Sequence, residues 1–208
     1  MERDDWFRNN KWDAATEAHF NEKLRRARDK AQPLRIQAYH LQSNNPKAAL
    51  ALLDRYFALG NHFDMASAFL HQAEAHLTLG EHEEALQALE KALQRERDFP
   101  NVKRKAWSRF ALLVAERKLN HLYDKALQVL QKNPLSSLSF PVDGFLWNAA
   151  FALIADAKGQ GKHAAEAAAR ALEFAGMAHS GFRYHADVGL VGAQYDELED
   201  ELIRLIRS

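Results

Sequence analysis

The chain has no cysteine, and this absence removes disulfides, thiolate metal ligands and cysteine nucleophiles while fitting an intracellular setting. It has no charge excess either: 28 Lys plus Arg stand against 28 Asp plus Glu in 208 residues. No global field therefore drives it onto nucleic acid or an anionic membrane, and electrostatic recognition has to be local. Long apolar runs are missing. The most apolar stretch, 145–155, is interrupted by Asn148 and ends at Asp156, well short of the roughly 20 residues that a membrane-spanning helix needs. The opening MERDDWFRNNKW lacks the apolar core of a secretory signal. Two-residue alternation of Val, Ile and Thr, the mark of strands, is almost absent, whereas Ala, Leu, Glu, Lys, Arg and Gln dominate. These features predict an all-α, cytoplasmic protein, long enough to form one continuous domain around a sizeable core.

What is present is a pattern of paired helices. The run 66–94, ASAFLHQAEAHLTLGEHEEALQALEKALQ, reads as two amphipathic helices hinged at Leu79-Gly80-Glu81. Small residues sit where two such helices would touch: Ala73 can face Ala85, and Leu89 and Ala92 follow Ala85 on the same helical face. This run resembles one tetratricopeptide (TPR) repeat. A single hairpin cannot bury its apolar stripe alone, so the resemblance implies a stack of antiparallel hairpins, a TPR-like α-solenoid. The positions equivalent to Ala85 are Ala49 and Ala126, at intervals of 36 and 41 residues against a TPR period of about 34. The repeats are degenerate.

The resulting layout is a single domain over 1–208. An N-terminal capping helix occupies 1–31, with its helical part at 12–30. About four hairpins fill 32–175, pairing 32–41 with 46–59, the two halves of 66–94, 102–119 with 123–132, and 143–158 with 163–175. A glycine-rich loop spans 176–192, and a C-terminal capping helix spans 193–208. Asn45-Pro46 supplies an N-cap followed by a proline at the first helical position, and Gly60 is expected to close the helix that follows. In the last hairpin either Ala164 or Ala167 fits the seam. The opening DWFRNNKW resembles the N-termini of bacterial TPR-like proteins, a likeness that brings no activity with it.

No enzyme motif is found, and no cofactor is expected. Gly161-Lys162 is followed by His163 rather than Ser or Thr, and Asp156 stands five residues before it, so it is not a phosphate-binding loop. HExxH, GxSxG and dinucleotide fingerprints are absent. His40 and His76 fall at the same repeat position and read either as packed rings or as a metal pair with Glu74 or His71; packing is the expectation, and no metal is expected. His71 and His76 lie about 140° apart around a helix, the wrong placement for chelation. Lys103-Arg104-Lys105 falls at an expected helix start, where cations oppose the macrodipole. With Arg95, Arg97 and Arg109 it could serve an acidic partner or RNA, although no aromatics are interleaved as a stacking platform would need.

By the TPR resemblance, the concave groove would be lined by Leu34, Ala38, Leu41 and Gln42 in the first pair and by Ser67, Leu70, Glu74, Leu77 and Thr78 in the second. TPR domains that hold a peptide's terminal carboxylate place Lys and Asn in such a groove, where this chain has Leu34, Ala38, Leu70 and Glu74. A more apolar partner segment suits these residues, unless the chain fills its own groove. The loop 176–192 collects His179, Arg183, Tyr184, His185 and Asp187. It is either a binding element or a wrap carried by Phe182, Tyr184, Val188, Leu190 and Val191. The function expected is a non-enzymatic scaffold or adaptor with a protein or peptide partner. The alternatives are a bacterial inhibitor or immunity-type protein that neutralises a partner through a large surface, and an RNA-binding helical repeat protein. Nucleic acid is the minority expectation for a partner, and a membrane is not expected.

Overall fold

The computed structural model describes residues 5–102, 104–136, 139–181 and 184–207, and these residues are all-helical, with ten α-helices and no strand. The chain divides into two compact units, Met1–Ala106 and Trp107–Ser208.

In the first unit, α1 (Ala14–Arg26) starts at Asp13, whose carboxylate accepts the Thr16 amide at 2.8 Å; that bond holds the Asp13 carboxyl below the usual carboxylate range. The helix stops four residues before the expected 30, because Ala27 turns extended and Asp29 caps Ala31 N at the start of α2 (Ala31–Leu41). α3 (Pro46–Phe57) begins as the Asn45-Pro46 pair predicts, with the Asn45 side chain accepting from Ala48 N. It ends at Phe57 rather than 59, and Gly60 lies in the turn beyond, donating to Phe57 O at 3.1 Å. α4 (Met65–Leu79) and α5 (His82–Asp98) meet at Gly80, which is left-handed with φ 77°. A residue with a Cβ is strained there, and the Gly80 and Glu81 amides close the end of α4 on Leu77 O and His76 O. Consecutive helices α2 to α5 pack on one another. Ala49, Ala73 and Ala85 are fully buried, as close helix approach requires.

The core of this unit includes the N-terminal segment. Phe7 and Phe20 join Leu24, Leu34, Ala38, Leu41, Leu53 and Tyr56 in one cluster, with Trp6 and Trp12 packed against it. The Trp6 and Trp12 rings stand 5.4 and 5.3 Å from Phe20. Gln37, fully buried, accepts from both nitrogens of Asn9 and donates to Asn9 O at 2.7 Å, which lays the segment along α2.

α6 (Ala106–Glu116) is shorter than the expected 102–119. The basic run precedes the helix instead of opening it: Lys105 takes a positive φ, and the buried Glu96 carboxylate accepts the amides of Arg104 and Ala106 at 2.7 and 3.1 Å. An anion at the start of the helix replaces the unfavourable cations.

In the second unit, α7 (Tyr123–Lys132) matches its expected span. α8 (Pro141–Ala157) and α9 (Gly161–Ala175) each begin two residues before the expected 143 and 163. α8 starts at its proline, a position where the missing N–H costs nothing. It is buried nearly all round and packs chiefly on α9. Gly144 makes this approach possible, since a Cβ there would lie 2.5 Å from the Phe174 ring. Both seam alternatives on α9, Ala164 and Ala167, are buried. α10 (Asp196–Arg207), preceded by a 3-10 turn at Ala193–Tyr195, lays Leu198 and Leu202 inward against α9.

Candidate functional site

The sequence-expected binding residues fall into different environments. Leu34, Ala38 and Leu41 lie in the core instead of along an open groove, because the 5–13 segment packs over α2 and supplies Phe7 to the same cluster. Leu70, Glu74 and Leu77 are half-buried on α4, and Ser67 is buried. In the 176–192 loop, His179, Tyr184 and His185 are exposed, while Arg183 and Phe182 lie outside the described residues. The loop is held by hydrogen bonds: the Ser180 hydroxyl donates to His185 O at 2.6 Å, and Gly189 O accepts Val142 N at the start of α8. Gly189, with φ 76°, sits so close to Phe140 that no side chain fits. Val188 and Tyr184, which the wrap alternative would tuck inward, are 50% and 80% exposed.

His40 and His76 each have a different partner. His40 Nδ1 stands 3.3 Å from Asn10 Oδ1, and burial followed by the Arg8 charge pushes its pKa down. His76 Nδ1 is 2.7 Å from Glu81 Oε2. Among the described residues, no three His, Asp or Glu side chains stand close enough to hold a metal ion.

The surface feature best suited to recognition lies elsewhere in the first unit. An apolar groove of about 450 Å³ is lined by Phe57, Met65 and Phe69, with Lys91, Gln94, Arg95 and Asp98 along one side, the Asp98 carboxylate accepting from Gln94 at 2.7 Å. Phe57 and Phe69 stack at 4.8 Å with their rings 20° from parallel, giving the groove a rigid aromatic wall. Arg95 lies 3.6 Å above the Phe99 ring and donates to His62 O at 3.1 Å, so its cation is fixed in place. Lys91 is exposed and has no ion-pair partner among the described residues.

A charged network that spacing alone did not reveal adjoins the loop after α3. Asp64 takes Arg35 on one oxygen at 3.3 Å and Arg104 on the other at 3.0 Å. Arg35 also stands 3.5 Å from His71 Nε2, and the Tyr39 ring lies 5.0 Å from that imidazole. Burial, helped by the Arg35 charge, pushes His71 down to about 4, so the ring is neutral near pH 7. Arg35 and His71 are separated by 36 residues, the interval that also relates Ala49 to Ala85, so the repeat spacing carried a usable signal for this pair. Arg95 and Arg104, from the basic run, are engaged within the protein.

No family model, no curated protein and no solved structure matches the chain.

Proposed function

We propose that the chain is a non-enzymatic, TPR-like helical-repeat scaffold whose first unit holds a segment of a partner protein. The alanine seam at Ala49 and Ala85 supports the repeat reading, as does the consecutive packing of α2 to α5. In this reading the 5–26 region and α10 cap the stack, closing apolar faces that would otherwise meet water. The observation that carries the binding reading is the groove beside the stacked Phe57 and Phe69 rings, with Lys91 exposed at its edge. Such a surface accepts an apolar anchor residue and favours an acidic neighbour. The internal use of Arg95 and Arg104 by His62 O and Asp64 argues against an RNA-binding surface built on the basic run.

The test is selection of peptides from a random library against the full chain. Selected peptides are expected to share a large apolar residue with a nearby Asp or Glu. They should lose roughly tenfold or more in affinity for Phe69→Ala and a smaller factor for Lys91→Glu. Peptides that bind both variants as well as wild type would remove the groove from the proposal.

A further inference from the structure

The second unit holds a pocket of about 290 Å³ at the ends of α6 and α8, bordered by Glu201 of α10. Its polar lining is Lys118, Asn120, Tyr123, Asp156 and Glu201, and Ala115, Leu153 and Ala157 form an apolar wall. None of the five polar side chains hydrogen-bonds or ion-pairs with another described residue. Tyr123 stands out among them, because it is 5% exposed and yet leaves its hydroxyl unbonded at a cavity. Buried polar groups are otherwise nearly always paired. Lys158, near the lining in sequence, is taken by Asp124 at 2.7 Å, so that pair cancels. The lining itself carries two carboxylates and one ammonium, all three without an ionic partner.

The ammonium is held there against a conformational cost. Three helices end in the same pair of backbone bonds, one amide reaching three residues back and the next reaching five. Gly80 and Glu81 close α4 in this way, Gly159 and Gln160 close α8, and Lys118 and Leu119 close α6. Glycine takes the left-handed position in the first two, at φ 77° and 72°, but Lys118 takes it in the third, at φ 51°. A side chain at that position is strained where glycine is not. The turn therefore presents a cation to the pocket at the expense of stability.

The helix ends add to the lining charges. α6 and α8 bring their C-terminal ends, with partial negative charge, and α7 brings its N-terminal end at Tyr123, with partial positive charge. Two carboxylates and two C-terminal ends suit cationic groups, whereas Lys118, the Asn120 amide and the start of α7 suit a carboxylate. The complement of this lining is a molecule with two positive groups and one negative. A free basic amino acid has that set in its α-ammonium, side-chain cation and α-carboxylate, on an aliphatic stem that the apolar wall can face. The volume equals the share of about ten waters at roughly 30 Å³ each, room for about ten heavy atoms, the size of lysine. We infer that this pocket binds a free basic amino acid, lysine or arginine. Asp156 and Glu201 take its cations, Lys118 takes its carboxylate, and the Tyr123 hydroxyl completes the hydrogen bonding.

The full chain is titrated calorimetrically near pH 7, at constant ionic strength, with L-lysine and L-arginine. The comparison ligands are L-norleucine, which lacks the side-chain cation, cadaverine, which lacks the carboxylate, and Nα-acetyl-L-lysine amide, which keeps the side-chain cation alone. Saturable binding of lysine or arginine is expected, at least tenfold tighter than that of norleucine or cadaverine. Lys118→Gly should melt at or above the wild-type temperature, bind lysine at least tenfold more weakly and bind cadaverine no worse. Asp156→Asn should weaken both lysine and cadaverine, and Tyr123→Phe should weaken lysine without lowering the melting temperature. No saturable binding of either amino acid, or equal affinity for lysine in wild type and Lys118→Gly, would overturn the site. Norleucine binding as tightly as lysine would overturn the need for a second cation. Equal or tighter binding of the acetylated amide would overturn the free amino acid and identify a lysine side chain of a partner as the occupant.

Discussion

Among the polar bonds described for buried side chains, Gln37 in residues 5–106 reaches far across the sequence, whereas those of Asn148, Asp143 and Ser180 in residues 107–207 join close neighbours. Gln37 bonds to Asn9 over 28 positions, and the half-buried Asp64 binds Arg104 over 40. In the second unit Asn148 bonds four residues back, Asp143 three, and Ser180 five ahead. The first unit thus uses polar groups to fix which segments lie together. In the second, the buried Asn148, Asp143 and Ser180 satisfy local backbone, Trp147 Nε1 donates to Leu130 O across α7 and α8, and Gly144, a row of alanines and Phe145 make the close packing. Polar networks specify arrangement but make stability depend on protonation, while close apolar packing depends on shape.

The largest expected consequence is a pH dependence centred on His71 of the first unit. Burial and the neighbouring Asp196 and Asp200 push Glu199 of the second unit up, with the opposite effect on stability. The folded pKa of His71, about 4, lies below the ordinary 6.5. Above pH 6.5 both folded and unfolded chains carry it neutral. As pH falls from 6.5 through 4 the unfolded chain takes the proton and the folded chain resists, so stability drops, by roughly 3 kcal/mol at most. Arg35 and Arg104 act in the same direction as burial, and Asp64 acts against them. Thermal melts of wild type and His71→Gln between pH 7 and 4 should diverge, the variant losing less. His40, also pushed down, contributes with the same sign, so His40→Gln serves as the control. The Asp13 carboxyl, lowered from 3.8, acts only at the acid end of this window. Parallel curves for wild type and His71→Gln would erase the contrast between the units on this point.

Steric changes come next. Ala85→Leu forces extra volume into the α4–α5 contact, where Ala85 is fully buried, and should cost about 1–3 kcal/mol. Gly144→Ala should cost less than Ala85→Leu. The new methyl meets the Phe174 ring, but alanine recovers roughly 1 kcal/mol of helix propensity over glycine. Phe174→Leu should rescue Gly144→Ala and do nothing for Ala85→Leu, which denaturant melts of the single and double variants can establish.

Much of the backbone was legible in the sequence because its signals are local. The Asn45-Pro46 start, the Gly80 stop and the Tyr123–Lys132 span each rest on a few adjacent residues. The departures come from tertiary partners. α6 starts late because Glu96, ten residues earlier, captures Ala106 N. Leu34, Ala38 and Leu41 are closed off because Phe7 joins their cluster and Gln37 finds Asn9. Periodicity cannot show that a short aromatic segment will occupy a helix face. Nor does it show that Asp64 joins Arg35 and Arg104, because only the Arg35–His71 spacing repeats an interval already visible among the alanines.

The smallest effect sharpens the comparison through ion pairs. Lys158–Asp124 in the second unit is short at 2.7 Å, but the Asp124 side chain is 81% exposed. Arg35–Asp64 in the first unit is longer at 3.3 Å, with side chains only 17% and 30% exposed. Distance alone would rank the first of these higher. Solvent reverses the order, because water screens an exposed pair and the flexible lysine loses entropy on being held. A double-mutant cycle on Lys158 and Asp124 should return about 0–1 kcal/mol. That coupling should vanish near 1 M salt, where the Debye length falls to about 3 Å. The cycle on Arg35 and Asp64 should retain most of its coupling in the same salt, because Arg104 and the half-buried His71 exclude water from one side. Equal salt sensitivity of the two cycles would mean that the charges of the first unit are as well solvated as those of the second.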